Sequence, residues 1–226
     1  MSQTAINLVA VSIFLMTLST LLGPLFHFSS TIPAIGTLAV LGIATLDAFS
    51  LQGKGGTLVL DWVAGFSPEH RERIVHHEAG HFLVAYLLGV PVTNYALNAW
   101  EALKKGLPGQ GGVVFGDSEL ENQLSKGSIT AQMLDRYCTI WMAGIAAETL
   151  AFNNAEGGAD DKTILTAILT NLGFSENLRE QKRRFCSLQA KTLIQDNWEA
   201  YQALVNAMRK RASVIECQTA IAESKK

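Results

Sequence analysis

The hydrophobic pattern divides the chain into two regimes. Residues 6–28 are apolar apart from Asn7, small hydroxyl side chains and His27, a run long enough to cross a bilayer as a helix. A second apolar stretch, residues 32–51, follows a break at Ser29-Ser30-Thr31 and Pro33 and carries Asp47 near its end. Together they predict a transmembrane helical hairpin, with a single span followed by an interfacial segment as the alternative. After the glycine-rich residues 52–57 the pattern becomes mixed. Ser67-Pro68-Glu69 reads as a helix start, with a hydroxyl cap, proline in the first turn and an acid at the positive end of the dipole. This helix continues to Leu88 and stops at Gly89, with Pro91 beyond. Residues 95–98 and 112–115 lean toward β structure around a polar Lys104-Lys105-Gly106 turn. Helical periodicity returns over residues 129–152, with Leu134, Cys138, Trp141, Ile145 and Phe152 on one side. It returns again over residues 182–217, through Leu188, Leu193, Tyr201, Leu204 and Met208.

Charge sharpens the division, because Asp47 is the only charged side chain in the first fifty residues. Residues 1–7 have no positive charge, which argues against a cleaved signal peptide. Lys54, Arg71 and Arg73 lie on the C-terminal side of the apolar segments, so the positive-inside rule puts the larger part on the cytoplasmic or stromal side. Cys138, Cys186 and Cys217 are widely separated, which predicts free thiols and a reducing compartment. A net charge of −2 without long runs of one sign gives no reason to expect nucleic acid.

The chemistry lies in His77-Glu78-Ala79-Gly80-His81. Residues four apart share a helix face, so His77 and His81 can direct both imidazoles at one zinc ion. Glu78 is then placed as general base. At this chain's composition the pattern arises by chance in on the order of one in a hundred such chains. Four of the five histidines, His70, His76, His77 and His81, fall in this one helix, the first two as flanking residues. The charged Glu69, Arg71, Glu72 and Arg73 precede the motif, and the apolar run after it ends at Val90, too short to span a membrane. A catalytic zinc needs a third protein ligand, for which Glu148, Asp160 and Asp161 compete. Glu148, mid-helix among Trp141, Ile145 and Phe152, suits a partner that orients a ligand histidine. Asp161 follows a Gly157-Gly158 turn that can return its carboxylate to the zinc helix, which leaves Asp160 as the helix cap.

At residues 76–81 the sequence resembles the peptidase domain of the FtsH-type membrane-bound zinc metalloproteases. Ala143-Gly144-Ile145-Ala146-Ala147-Glu148 is similar to that family's Gly-Gly-x-x-Ala-Glu helix. Glu156-Gly157-Gly158-Ala159-Asp160-Asp161 and Leu172-Gly173-Phe174-Ser175 resemble its later motifs, so the likeness covers residues 67–212. The resemblance implies a mainly α fold with a small β element near the active site, His77, His81 and Asp161 as zinc ligands, and Glu78 as base. It also implies polypeptide substrates, and either a ring-shaped homo-oligomer such as a hexamer or association with an FtsH-like ATPase. The family's ATPase module has no counterpart here, since these 226 residues hold no Gly-x-x-x-x-Gly-Lys-[Ser/Thr] loop for ATP. The expected organisation is a membrane anchor over residues 1–52 that meets the lipid bilayer through residues 6–51. A linker over 53–66, a zinc peptidase domain over 67–217 and a tail over 218–226 follow. The expected function is a membrane-anchored zinc endopeptidase that hydrolyses unfolded or flexible, membrane-associated proteins without its own motor. The rival is a non-catalytic anchored subunit of FtsH-like complexes.

Overall fold

The computed structural model describes residues 3–23, 31, 35–36, 67–107, 111–116, 118–126 and 129–224. The chain divides into two compact units, Met1–Ser67 and Pro68–Lys226.

The described helix of the first unit is α1 (Gln3–Leu22). Its first turns carry Gln3, Thr4 and Asn7, and it ends at Leu22, before the apolar run reaches Phe28. Thr17 and Thr20 turn their hydroxyls back onto the carbonyls of Ile13 and Met16. Among the described residues no helix is long and apolar enough to cross a membrane. This corrects the transmembrane hairpin and, with it, the integral-membrane placement. The expected second segment lies almost wholly outside the described residues, as does the linker over 53–66.

The second unit is built around α2 (Pro68–Leu87), which carries the His-Glu-x-x-His run. After Gly89, which has a φ of +71° beyond the reach of most side chains, come β1 (Val92–Ala96), α3 (Ala99–Lys104) and β2 (Gly112–Phe115). The two strands pair antiparallel, Tyr95 opposite Val113 and Ala96 opposite Gly112. Then follow α4 (Ser118–Ser125), α5 (Ala131–Phe152), α6 (Ala159–Asn171), α7 (Glu176–Asp196), α8 (Trp198–Arg209) and α9 (Val214–Glu223). The architecture is mainly helical. Helix α2 packs chiefly on α5 and then on α8, while β2 lies against α2 and α7 packs on α5.

Two local expectations change. The segment between the strands holds α3 before its polar turn, because Asn98 caps the Glu101 N–H and Glu101 in turn accepts from the Leu97 N–H. The helical stretch 182–217 is not one run but parts of three helices. Asn197 stands at the first break, and a Ser213–Glu216 capping box restarts the chain at the second. Leu188, expected on the apolar side, is exposed, whereas Tyr201, Leu204 and Met208 are buried. All three cysteines are free and buried.

The core gathers Phe82, Leu83 and Val84 of α2, Ile140, Met142 and Ala147 of α5, and Tyr201, Leu204 and Met208 of α8 into one cluster. Gly80 sits at a close approach of α2 and α5. A Cβ there would stand 2.6 Å from the Ala143 carbonyl oxygen and 2.6 Å from the Ala147 Cβ. Both neighbours are stiff, so Gly80→Ala forces the helices apart. Overpacking of this kind costs about 1–3 kcal/mol, against a helix-propensity gain of about 1 kcal/mol. The expected outcome is a net loss of stability in denaturant unfolding, and a stabilised Gly80→Ala protein would contradict this crossing.

Candidate metal centre

His77 and His81 are one helical turn apart on α2, and their ring centroids lie 4.7 Å from each other. Each ring is fixed from behind through Nδ1. His81 Nδ1 is 2.7 Å from the Ile140 carbonyl oxygen on α5. A carbonyl only accepts, so the proton sits on Nδ1 and Nε2 presents its lone pair inward. His77 Nδ1 is 2.7 Å from Glu148 Oε1, an acceptor of the same kind. The two Nε2 atoms therefore face one another, 3.0 Å apart. Asp161, in the first turn of α6, brings Oδ2 to 3.1 Å from His77 Nε2 and Oδ1 to 3.5 Å from His81 Nε2.

Missing side chains make this geometry possible. A Cβ on Gly144 would lie 2.3 Å from His77 Nε2, so only glycine lets the ring lie flat against α5. Gly157 gives the loop between α5 and α6 a similar close approach, since a Cβ there would meet Glu148 Oε1 at 2.6 Å. With that clearance, the Glu156 N–H reaches Glu148 Oε2 at 2.9 Å and the Gly157 N–H reaches Oε1 at 3.2 Å. The buried Glu148 is thus fully engaged, as a carboxylate in the interior must be. The loop it holds leads directly to Asp161.

The electrostatics follow from crowding. Burial works against a charge on His77, but hydrogen bonds to Asp161 and Glu148, aided by Glu78, push it up to about 10. Burial raises Asp161, yet His81 and His77 together hold it well below the usual carboxylate range. Glu148 is likewise depressed despite burial, by His77 and the Glu156 and Gly157 N–H groups. Glu78 goes the other way. Burial raises its carboxyl, and the opposing pull of His77, His81 and the Val113 N–H does not cancel it. Glu78 Oε2 accepts that N–H from β2 at 3.0 Å.

His77, His81 and Asp161 form a group able to hold a metal ion, their ligand atoms all within 4.8 Å of one another. The donor set fits zinc, which takes imidazole nitrogen and carboxylate oxygen. Ligands at zinc's usual bond lengths in a tetrahedron stand about 3.3 Å apart; the two Nε2 atoms are 3.0 Å apart, and each has an Asp161 oxygen near that distance, Oδ2 at 3.1 Å from His77 and Oδ1 at 3.5 Å from His81. With both Nδ1 atoms donating outward, three electron-rich atoms converge and need a cation, either a proton or a metal, between them.

Other sequence candidates lie elsewhere. Asp160 is exposed in the same turn as Asp161 and does not join this group, and the α6 cap is Gly158 rather than Asp160. His76 is buried with Nδ1 2.7 Å from the Tyr201 hydroxyl and its ring edge-on to Phe152. Three participants escaped sequence reading: the Ile140 carbonyl, the Val113 N–H and Arg73. The first two are backbone groups without a residue-type signal. Arg73 did carry one, standing four residues before His77 and hence on its helix face.

Zinc titration of the purified chain tests the arrangement. One ion per chain is expected, with Asp161→Ala losing more than the roughly 10- to 100-fold that removal of a ligand-orienting partner costs, and Asp160→Ala binding as wild type. His77 is protonated below about 10, so a metal must displace that proton. Against burial, Asp161 raises His81 as well, so affinity should fall as pH falls across the neutral range by at least about tenfold per unit. Tight zinc binding by Asp161→Ala, or a flat pH dependence, would contradict the arrangement.

No protein-family model matches the chain. Over 117 residues, 49% of this chain, it is 32% identical to the "ATP-dependent zinc metalloprotease FtsH 1" of Sorangium cellulosum (strain So ce56). The matched region spans only 17% of that relative's length. The similarity is therefore to part of a metalloprotease, and it accompanies a His/His/Asp group suited to a metal.

Proposed function

We propose that this chain is a zinc-dependent endopeptidase that hydrolyses unfolded or flexible polypeptides. The observation that carries the reading is the convergence of His77, His81 and Asp161, with both imidazoles locked through Nδ1 so that their Nε2 atoms point at one spot. A histidine cluster serving only the fold has no need of that orientation, and His76, tied to Tyr201, shows the alternative in the same helix.

Bound there, zinc would polarise the scissile carbonyl and acidify the attacking water. The chain's own residues supply the rest. Glu148 and the Ile140 carbonyl keep both rings in the tautomer that binds a cation. Glu78, next to the first ligand, takes the proton of the attacking water and passes it to the leaving amide nitrogen. Burial raises its affinity for a proton, which suits a group that must take one up and pass it on. The Val113 N–H orients the Glu78 carboxylate and ties it to β2. Strand β2 has β1 as its one strand partner among the described residues. An extended substrate would lie along its other edge, where main-chain groups hold a peptide regardless of sequence. These 226 residues contain no phosphate-binding loop, so the proposed substrates are chains already unfolded or flexible.

The test is Glu78→Gln, which removes the base and keeps the ligands. The variant should hold zinc as tightly as wild type and cleave a permanently unfolded protein on the order of 10²- to 10⁴-fold more slowly. Cleavage by wild type should not respond to added ATP. A Glu78→Gln protein as active as wild type would sink the mechanism.

A further inference from the structure

Arg73 begins the turn of α2 that ends in His77, and its side chain is only 9% exposed. The guanidinium faces the end of α5 and the loop leading to α6. Its Cζ lies 4.6 Å from the centroid of the Phe152 ring. Nη1 is 3.7 Å from Glu148 Oε2. Nη2 donates to Asn154 Oδ1 at 3.1 Å and lies 3.4 Å from Glu156 Oε1 and 3.6 Å from Glu69 Oε1. Yet Nε and Nη1 are buried without a hydrogen-bond partner. A buried guanidinium satisfied this poorly is a burden on folding, and an apolar side chain of similar volume commonly does as well or better.

What the charge does achieve is local. Glu148 is held by His77 on one side and by the Glu156 and Gly157 N–H groups on the other. Arg73 reaches both Glu148 and the loop carrying those N–H groups, the latter through Asn154 and Glu156. The far end of the same loop is Gly158, the cap from which Asp161 reaches the two imidazoles. We propose that Arg73 is a positioning residue for the metal centre: it fixes Glu148, which orients His77, and the loop that carries Asp161, so that two of the three ligands depend on it. The proposal rests on the reading of His77, His81 and Asp161 as a metal site.

Arg73→Met, Arg73→Lys and Asn154→Ala are compared with wild type in the full chain. Zinc affinity is measured by competition with a chromophoric chelator, and ligand geometry by the visible absorption of the cobalt(II)-loaded protein. Arg73→Met should lower zinc affinity about 10- to 100-fold and alter the cobalt spectrum, without a matching loss of thermal stability in the metal-stripped protein. Arg73→Lys, which keeps the charge but not the fork, should recover part of the affinity. Asn154 is exposed, so Asn154→Ala will fold even if Arg73→Met does not, and it should weaken binding roughly fivefold. If Asn154→Ala and the folded Arg73 variants match wild type in both affinity and spectrum, the inference fails and the metal centre stands. If wild type itself takes up no zinc, the metal-centre reading falls and the inference with it.

Discussion

Glu148 is a carboxylate buried near the C-terminal end of α5, and the centre is arranged around satisfying it. His77 meets one oxygen, two backbone N–H groups of the following loop meet both, and Arg73 stands by the second. An ionised carboxylate in the interior costs several kcal/mol unless its lone pairs are used, so these contacts are not optional decoration. They dictate the rest. The His77 ring must turn Nδ1 outward and Nε2 inward, the loop must fold back on α5, and Asp161 must begin its helix facing α2. One buried acid thus converts two histidines at helical spacing into a directed ligand set.

The same constraint explains the glycines. Glu148 and His77 can meet only if α2 and α5 approach more closely than side chains allow, which Gly80 and Gly144 permit. The crossing carries a charge network between faces that are otherwise apolar. Stability and chemistry are therefore coupled at this interface, since a change that spreads the helices moves His77 away from Glu148. Strand β2 is joined to the same assembly through the Val113 N–H on Glu78, so the strand and that carboxylate share one support.

Much of this was legible from periodicity. Spacing of four put His77 and His81 on one face, and a Gly-Gly turn before Asp160 and Asp161 announced a chain reversal. Glu148 stood out as an acid on an apolar face. Other features were not legible, for identifiable reasons. Asp161 joins the two histidines as the turn suggested, but the cap of α6 is Gly158 and not Asp160, since a glycine in the left-handed region starts the helix without a side-chain bond. Arg73 counted only as one of the charges that precede the motif, because sequence shows charge but not burial. Helix α3 was announced by Asn98 with Glu101 three residues later, but the β-leaning runs on either side masked it. The largest error came from apolarity read without geometry. Residues 6–28 suggested a membrane span, whereas the described α1 opens on Gln3, Thr4 and Asn7 and ends at Leu22. Hydrophobic composition alone does not fix where a helix starts and stops.

The central claim is that two imidazole nitrogens and one carboxylate oxygen converge on a single cation. X-ray absorption at the zinc edge of the metal-loaded protein tests it most directly. The account predicts two imidazole nitrogens at about 2.0–2.1 Å and one carboxylate oxygen at about 2.0–2.2 Å, with the outer-shell scattering of two histidine rings. A sulfur shell at about 2.3 Å, pointing to one of the cysteines, or a first shell with fewer than two imidazoles would contradict it.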